Sequence, residues 1–265
     1  MSKFYYVIFI LFFSCIDLIN QESHYNSLFF SGGSWIEIKE FNEISNNSDD
    51  YSLQFWISGG IIDTNEAPAI FSLTDQSGDI LLSLLRDPNL NNRIITIINS
   101  QVYTKDLNEL DLFDSNEFHL ISIVFSNNSS VEVFIDSTSI INDTNNLINI
   151  NDELLVIGAI ANKERTILKN FWYGYIDEIR LWNTELSDSI ITFHAEHPNK
   201  LSQHYRYTDI DGNPIPTYLD SLIGIWRLNI NEPQATIIDD SGFSNDGYIY
   251  TLNGFSLQLS KKGAD

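Results

Sequence analysis

Hydrophobic and polar residues alternate along many short segments of this chain, and such alternation is typical of β-strands. The segment 173–182, with the sequence Y-G-Y-I-D-E-I-R-L-W, shows the pattern most clearly. Alternation divides its side chains between two faces, with Tyr175, Asp177, Ile179 and Leu181 on one and Ile176, Glu178, Arg180 and Trp182 on the other. Further strands are predicted at residues 35–38, 51–58, 69–73, 80–85, 93–98, 101–104, 118–125, 131–136 and 154–157.

Turn residues such as D-Q-S-G-D and D-P-N-L-N-N separate these strands, and helical periodicity is almost missing. One exception follows Asn183, where Thr184 is predicted to cap a short helical segment that carries Leu186 and Ile190. Short strands at even spacing predict an all-β fold, in which two antiparallel sheets pack as a jelly-roll sandwich.

Asp177 does not fit the face to which alternation assigns it. A carboxylate between Tyr175 and Ile179 on a buried face must be hydrogen-bonded, paired or bound to a cation. One interpretation is a calcium site at the rim of a sheet, formed by Asp177 with loop oxygens such as those of Asp50 or Asp136. The alternative is that Asp177 accepts hydrogen bonds from backbone N–H groups of a neighbouring loop.

The same strand resembles the closing strand of laminin-G-like, concanavalin A-like sandwiches, a group that includes the pentraxins and many bacterial domains. The matching residues are Gly174, Ile176, Asp177, Glu178, Ile179, Arg180, Leu181, Trp182, Asn183, Leu186 and Ser187. The strand at 51–58 and the hairpin at 118–136 resemble other strands of this family. The resemblance implies a jelly roll that recognises its ligand through rim loops, sometimes with calcium. Ser31 departs from the family, because relatives often have an Asp there.

The ends of the chain predict its organisation. Residues 1–15 resemble a bacterial lipoprotein signal, with an apolar run at 4–13 and the lone Cys15 as the residue that receives lipid. An ordinary cleaved signal is the alternative, and both predict an exported protein. Residues 16–26 are predicted to be a tether, and 27–265 the sandwich. Within it, 194–265 form a C-terminal extension whose segments 222–228 and 248–252 are predicted to supply closing strands.

The formal charge of -22, from 14 basic and 36 acidic residues, excludes a typical nucleic-acid-binding surface, which needs clustered Lys and Arg. An acidic surface attracts cations, and calcium is the cofactor that oxygen-rich loops would favour. Acidity that serves only solubility is the simpler interpretation.

The residue pattern gives little indication of a glycoside hydrolase site or of a metal site. Glycoside hydrolysis needs two carboxyl groups that flank the scissile bond, and Glu178 is predicted to face away from Asp177. His194 and His197 are predicted to be a pair of surface histidines, because Pro198 ends the helix that would align them as metal ligands.

Sugars stack on exposed aromatic rings, and Tyr103, Tyr205 and Tyr207 are predicted to be the exposed tyrosines of a ligand-binding surface. Trp35, Trp56, Trp172 and Trp182 lie in or beside the signature strands and are predicted to be core residues. Together the patterns predict a non-catalytic, exported module that binds a glycan or a surface protein. Two alternatives remain, namely a structural or adhesion protein without a small ligand and a glycoside hydrolase of the same fold.

Overall fold

The computed structural model describes residues 27–38, 50–59, 66–75, 77–90, 92–107, 112–113, 117–126, 130–143, 154–198, 221–228, 236–255, 258–260 and 262–264. Over these residues the chain forms two antiparallel sheets of eight strands each, a two-stranded ribbon and one helix. No helix in these ranges is long and apolar enough to cross a bilayer.

The first sheet has the strand order β10-β9-β8-β3-β14-β1-β18, and β15 also pairs with β14. Its strands are β1 (Leu28–Ser31), β3 (Tyr51–Gly59), β8 (His119–Ser126), β9 (Ser130–Ile135), β10 (Thr138–Asp143), β14 (Tyr173–Trp182), β15 (Leu222–Trp226) and β18 (Gln258–Leu259).

The second sheet has the order β16-β17-β2-β11-β4-β5-β6-β7. Its strands are β2 (Ser34–Ile38), β4 (Ala69–Thr74), β5 (Ile80–Arg86), β6 (Arg93–Ile98), β7 (Gln101–Asp106), β11 (Leu154–Ile157), β16 (Thr236–Ile237) and β17 (Gly247–Thr251). The ribbon consists of β12 (Ile160–Ala161) and β13 (Leu168–Lys169), and the helix α1 is Asp188–Glu196.

The main core lies between the two sheets, as the alternation predicts. Phe55 of β3 and Phe71 of β4 face each other across it with ring centroids 6.2 Å apart. Trp172 and Trp226 are fully buried within the same cluster. The four tryptophans predicted to be core residues are all buried. The prediction of a two-sheet antiparallel sandwich is therefore confirmed.

A β-bulge changes the faces of β14 relative to strict alternation. In the pairing with β3, Asp177 lies opposite Trp56, while Ile179 lies opposite Phe55, so Glu178 is the extra residue. Ile176 and Ile179 consequently both face the main core. Asp177 lies instead on the outer face of the first sheet, next to Trp56. The prediction that Asp177 shares a face with Ile179 and Leu181 is wrong, because one inserted residue reverses the alternation.

Helix α1 covers part of that outer face. Its residues Ile190 and Ile191 pack with Leu186 and with Trp182 of β14 in a second hydrophobic cluster. The helix begins at Asp188 after Ser187, three residues beyond the position that a Thr184 cap predicts. Residues 184–187 instead lead into the helix, and Ser52 of β3 contacts this segment through its hydroxyl, 2.9 Å from the Thr184 carbonyl oxygen.

The C-terminal part adds strands to both sheets. β15 extends the first sheet beside β14, and β17 extends the second sheet beside β2. Strands thus occur in both segments where closing strands were predicted, and each joins a different sheet.

Candidate functional site

The Asp177 carboxylate is held by hydrogen bonds from the backbone. Its Oδ1 accepts a hydrogen bond from the Glu178 N–H (2.8 Å), and its Oδ2 accepts one from the Ala264 N–H (3.0 Å). Burial raises the pKa of Asp177 to about 6, and the two N–H donors oppose that shift. These contacts match the second of the two interpretations, in which the carboxylate accepts backbone hydrogen bonds.

The three aspartates considered as calcium ligands lie in different environments. Asp136 Oδ1 accepts from the Leu120 N–H (2.9 Å), and its Oδ2 lies 2.8 Å from Nδ1 of His119. Asp50 immediately precedes β3, whereas Asp177 pairs with Trp56 further along that strand. At about 3.3 Å per residue, Asp50 and Trp56 are about 20 Å apart along the strand. The described residues contain no group of three His, Cys, Asp or Glu side chains that could hold a metal ion. Calcium binding stays a prediction.

The remaining polar residues of the signature strand also hold the fold together. The Glu178 carboxylate pairs with the Arg180 guanidinium, and Arg180 Nη2 donates to the carbonyl oxygen of Pro198 (2.8 Å), just after α1. Both side chains are buried, so the additional hydrogen bond from Arg180 to Pro198 helps to offset the desolvation of this ion pair. The signature therefore accounts for how helix α1 is fixed to the first sheet.

A polar network beneath α1 centres on Gln54. Its Oε1 accepts from Nε1 of Trp182 (3.2 Å) and lies 3.0 Å from Nδ1 of His194, while its Nε2 donates to Oγ of Ser122 (3.0 Å). The His194 ring stacks on Trp182 and is only 1% exposed. The prediction of a surface histidine pair is wrong for His194, because the apolar face of α1 turns that residue inward.

The segment D-D-S-G-F-S-N-D-G at 239–247 forms a loop whose polar groups bond within the loop and to β15. The Asp239 carboxylate accepts from the N–H groups of Ile225, Ser241 and Asn245 and from the Ser241 hydroxyl, at 2.7–3.0 Å. Trp226 Nε1 donates to the carbonyl oxygen of Asn245 (2.7 Å). These donors come from the loop itself and from β15, so the Asp239 carboxylate fixes the loop to the first sheet.

A groove lies where an edge strand of one sheet faces an edge strand of the other. β7 ends the second sheet and β10 ends the first. The Tyr103 hydroxyl on β7 lies 2.7 Å from Asp143 Oδ2 on β10 and 2.9 Å from Gln101 Oε1. This contact joins the two sheets at their open side. The groove has a volume of about 380 Å³ and is lined by Tyr103, Thr104, Lys105, Ile140, Ile141, Asn142 and Asp143.

The groove combines an apolar floor with a polar rim. Ile140 and Ile141 are buried against the main core, and Tyr103 packs partly against the same cluster. Lys105 and Asn142 are exposed, whereas Asp143 is 8% exposed. Its volume falls within the range of about 300–1,000 Å³ that is usual for small-molecule sites. The described residues of the groove thus offer an aromatic ring, hydrogen-bond donors and acceptors and one cation, and they include no pair of opposed carboxylates.

The structure places one of the three predicted ligand-binding tyrosines in this groove. Tyr103 is half-buried there, less exposed than predicted. Tyr205 and Tyr207 lie outside the described residues, as do Cys15 and the segments 1–15 and 16–26. The roles assigned to these residues stay predictions.

Sequence reasoning missed the β10 side of the groove. Strand β10 follows a two-residue turn at 136–137, in which Asp136 has φ 52°. The alternating run T-S-I-I-N-D at 138–143 was the available signal, but the two adjacent isoleucines interrupt it. They mark a second bulge, between Ser139 and Ile141.

Comparisons with known proteins agree with this architecture. The sequence matches the concanavalin A-like lectin/glucanases superfamily over residues 30–192. A candidate carbohydrate-binding protein from Bacteroides ovatus has a similar structure, with a TM-score of 0.56 and 13% identity over 91% of this chain. The chain spans 62% of that protein's length.

A heptameric SAP-like pentraxin from Limulus polyphemus is also similar, with a TM-score of 0.52 and 12% identity. That alignment covers 87% of this chain and 96% of the pentraxin. No curated protein matches the sequence. At these identities the structural likeness concerns the fold alone, whereas the sequence match covers more than half of the chain. The chain therefore belongs to the concanavalin A-like lectin/glucanases superfamily.

Proposed function

We propose that this protein is a non-catalytic binding module that holds a glycan in the groove between β7 and β10. The observation that carries the proposal is the groove itself, because it combines the Tyr103 ring with amide, hydroxyl, ammonium and carboxylate groups around an apolar floor. Sugars present apolar ring faces and many hydroxyls, so they need both kinds of surface in one place. The carbohydrate-binding assignment of the Bacteroides protein supports this ligand class by analogy of fold.

A binding role also fits the way the acidic residues of the signature are used. Asp177 accepts two backbone hydrogen bonds, and Glu178 pairs with buried Arg180. Neither carboxylate lines the groove. A glycoside hydrolase would need an acid and a second carboxylate on either side of the scissile bond. Asp143 is the one carboxylate among the described residues that line the groove, which favours binding over cleavage of a glycan there.

The proposal is tested by a glycan array followed by calorimetry with the best oligosaccharide. We expect Tyr103→Ala to weaken binding by at least about tenfold, since one lost stacking contact accounts for about 0.5–1.5 kcal/mol, and hydrogen bonds add to it. Tyr103→Phe keeps the ring and should weaken binding less.

The matched control is Tyr248→Ala, which removes an exposed tyrosine on β17 of the second sheet, six strand positions away from β7 in the sheet order. Equal binding by wild type, the Tyr103→Ala variant and this control would refute the groove as the site. Conversion of the oligosaccharide to shorter products would refute the non-catalytic assignment.

Calcium is tested in the same experiment. The array and calorimetry are repeated with added calcium and with a chelator. Affinity that disappears with the chelator would support the calcium dependence that the resemblance implies, and unchanged affinity would remove calcium from the account.

A further inference from the structure

Strand β7 presents one long side of its backbone to the outside of the second sheet. It pairs with β6 at all six positions, from Arg93–Asp106 to Ile98–Gln101, without a shift in register. The turn between them consists of Asn99 and Ser100, whose φ values of 45° and 67° identify a two-residue type I′ turn. Such a turn makes Ile98 and Gln101 a hydrogen-bonded pair, and every second pair after it is hydrogen-bonded too.

The alternation decides which backbone groups remain outside the ladder. Gln101, Tyr103 and Lys105 exchange hydrogen bonds with β6, so the N–H and C=O groups of Val102, Thr104 and Asp106 point away from it. The Leu107 N–H donates to the Asn92 carbonyl oxygen (2.6 Å), so the alternation of hydrogen-bonded pairs continues one residue beyond the strand. No backbone hydrogen bond joins the outward groups of those three residues to any described residue.

Within the part of the chain that the structure describes, the other edge strands of the two sheets are protected in ways that β7 is not. β15 pairs only with β14, but its Ile225 carbonyl oxygen accepts from the Asp240 N–H (2.8 Å) and its Ile225 N–H donates to the Asp239 carboxylate (2.9 Å). β16 and β18 have two residues each, too short to template a partner strand. β10 is as long as β7, but the bulge between Ser139 and Ile141 bends it. β7 has six residues, no bulge and no proline, and the side chain of Val102 is 64% exposed. A regular, exposed edge of this length is a surface to which an extended chain can add.

The partner follows from charge. The protein carries a formal charge of -22, so a second copy of the chain would meet strong repulsion. Asp106, at the end of β7, is already paired with Arg93 of β6 at 2.6 Å, so the repulsion comes from the charge of the whole protein and not from this residue. We propose that β7 accepts an extended, positively charged segment of another protein as an added strand of the second sheet. This function goes beyond glycan binding, because it uses backbone groups of Val102, Thr104 and Asp106 rather than the side chains in the groove.

The experiment uses calorimetry with a defined probe, an eight-residue acetylated and amidated peptide of alternating valine and lysine. Its control has the same sequence, with N-methyl groups on two adjacent central residues. Two adjacent methylations remove donors from both edges of the peptide, while its charge and side chains stay the same. We expect the unmethylated peptide to bind at least about tenfold more tightly, because strand addition depends on those donors.

Variants at Val102 test the protein side. Val102→Pro removes an outward N–H without breaking a bond to β6, and proline is tolerated on edge strands. We expect it to weaken the unmethylated peptide by about tenfold, whereas Val102→Thr, which keeps the N–H, should change affinity less than about threefold. Thermal unfolding verifies that both variants fold, and the methylated peptide tests wild type independently of them.

Three results would overturn the proposal. The first is equal affinity for the methylated and unmethylated peptides. The second is no binding of the unmethylated peptide at about 1 mM, the weak limit for a specific contact. The third is a wild-type dimer in sedimentation that Val102→Pro dissociates, since a second copy would then occupy β7. Val102 does not line the groove, so glycan binding and peptide binding can fail separately.

Discussion

Asp177 is tolerated in a buried position because two backbone N–H groups donate to its carboxylate. Desolvation nevertheless raises its pKa from 3.8 to about 6, so the folded protein binds a proton at this group more tightly than the unfolded chain does. The group therefore contributes most to the free energy of unfolding at low pH. That contribution falls as the pH rises from 3.8 through about 6.

The first prediction concerns this linkage. Asp177→Asn removes the titrating group, so the difference in the free energy of unfolding between wild type and variant should depend on pH. We expect the free energy of unfolding of the wild type, relative to that of the variant, to fall by about 1.4 kcal/mol as the pH rises from about 5 to about 7.5. At pH about 5, one unit below the folded pKa, protonation of Asp177 contributes about 1.36 kcal/mol, and this contribution is lost by pH about 7.5. Urea unfolding in this range measures it and avoids the isoelectric point near 4.3. Parallel pH profiles for the two proteins would contradict the assignment.

Gly174 has a different constraint, because two neighbours occupy the space of its missing side chain. Its φ is 153°, and a Cβ atom there would lie 2.7 Å from the Ser58 carbonyl oxygen and 2.9 Å from the Trp172 ring. We predict that Gly174→Ala lowers the free energy of unfolding by about 3 kcal/mol, from strain and overpacking together.

Gly242 provides the matched control for this prediction. It also has a positive φ, 92°, but a Cβ there would meet nothing within 4 Å. Gly242→Ala should cost about 1 kcal/mol, from backbone strain alone. Chemical denaturation of both variants separates the two contributions, and equal losses would show that the contacts around Gly174 are not responsible.

At the scale of elements, alternation predicts most strands but not their irregularities. The strands at 51–58, 93–98 and 154–157 were predicted close to their observed bounds, because their alternation or apolar content is a local property. The bulge at Glu178 depends on the pairing of β14 with β3, which no local pattern contains. The buried position of His194 depends in the same way on helix α1 packing against Trp182.

An ion pair connects the loop between β12 and β13 to the second sheet. Arg165, in the loop between β12 and β13, donates from Nε and Nη2 to the Glu37 carboxylate on β2, at 2.7 and 2.8 Å. The Arg165 guanidinium also lies 3.9 Å from the ring centre of Tyr250 on β17. Glu37 is 1% exposed and receives a further hydrogen bond from Trp35 Nε1 (2.9 Å). The hydrogen bond with Glu37 raises the pKa of Arg165, so the guanidinium stays charged at any ordinary pH.

We expect Arg165→Met to lower the free energy of unfolding by about 3 kcal/mol, because it leaves a buried carboxylate without its cation. Glu37→Gln removes that charge and keeps an acceptor for Trp35. The double variant should therefore lose at least about 1 kcal/mol less than the sum of the single variants. A double-mutant cycle by urea unfolding measures this coupling, and strictly additive losses would show that the ion pair does not anchor the loop.

At the scale of the whole molecule, the groove exists because of the order of the strands. Its two walls, β7 and β10, are the edge strands of different sheets and are separated by more than 30 positions in the sequence. Tyr103 could be selected from the sequence as an aromatic residue, but its contact with Asp143 depends on long-range pairing that alternation cannot supply. The family signature in β14 is easier to recognise, and its polar residues instead fix the helix and the C-terminal segment.

Hydrogen exchange, read by mass spectrometry with and without the oligosaccharide that the array identifies, tests most directly whether the groove binds the ligand. Binding in the groove should slow exchange in peptides that cover 101–107 and 138–143, since these strands form the two walls of the groove. Peptides from the opposite side of the sandwich, such as 247–251 in β17, should not change. Protection confined to other segments, with 101–107 and 138–143 unaffected, would contradict the claim that the groove is the ligand-binding site.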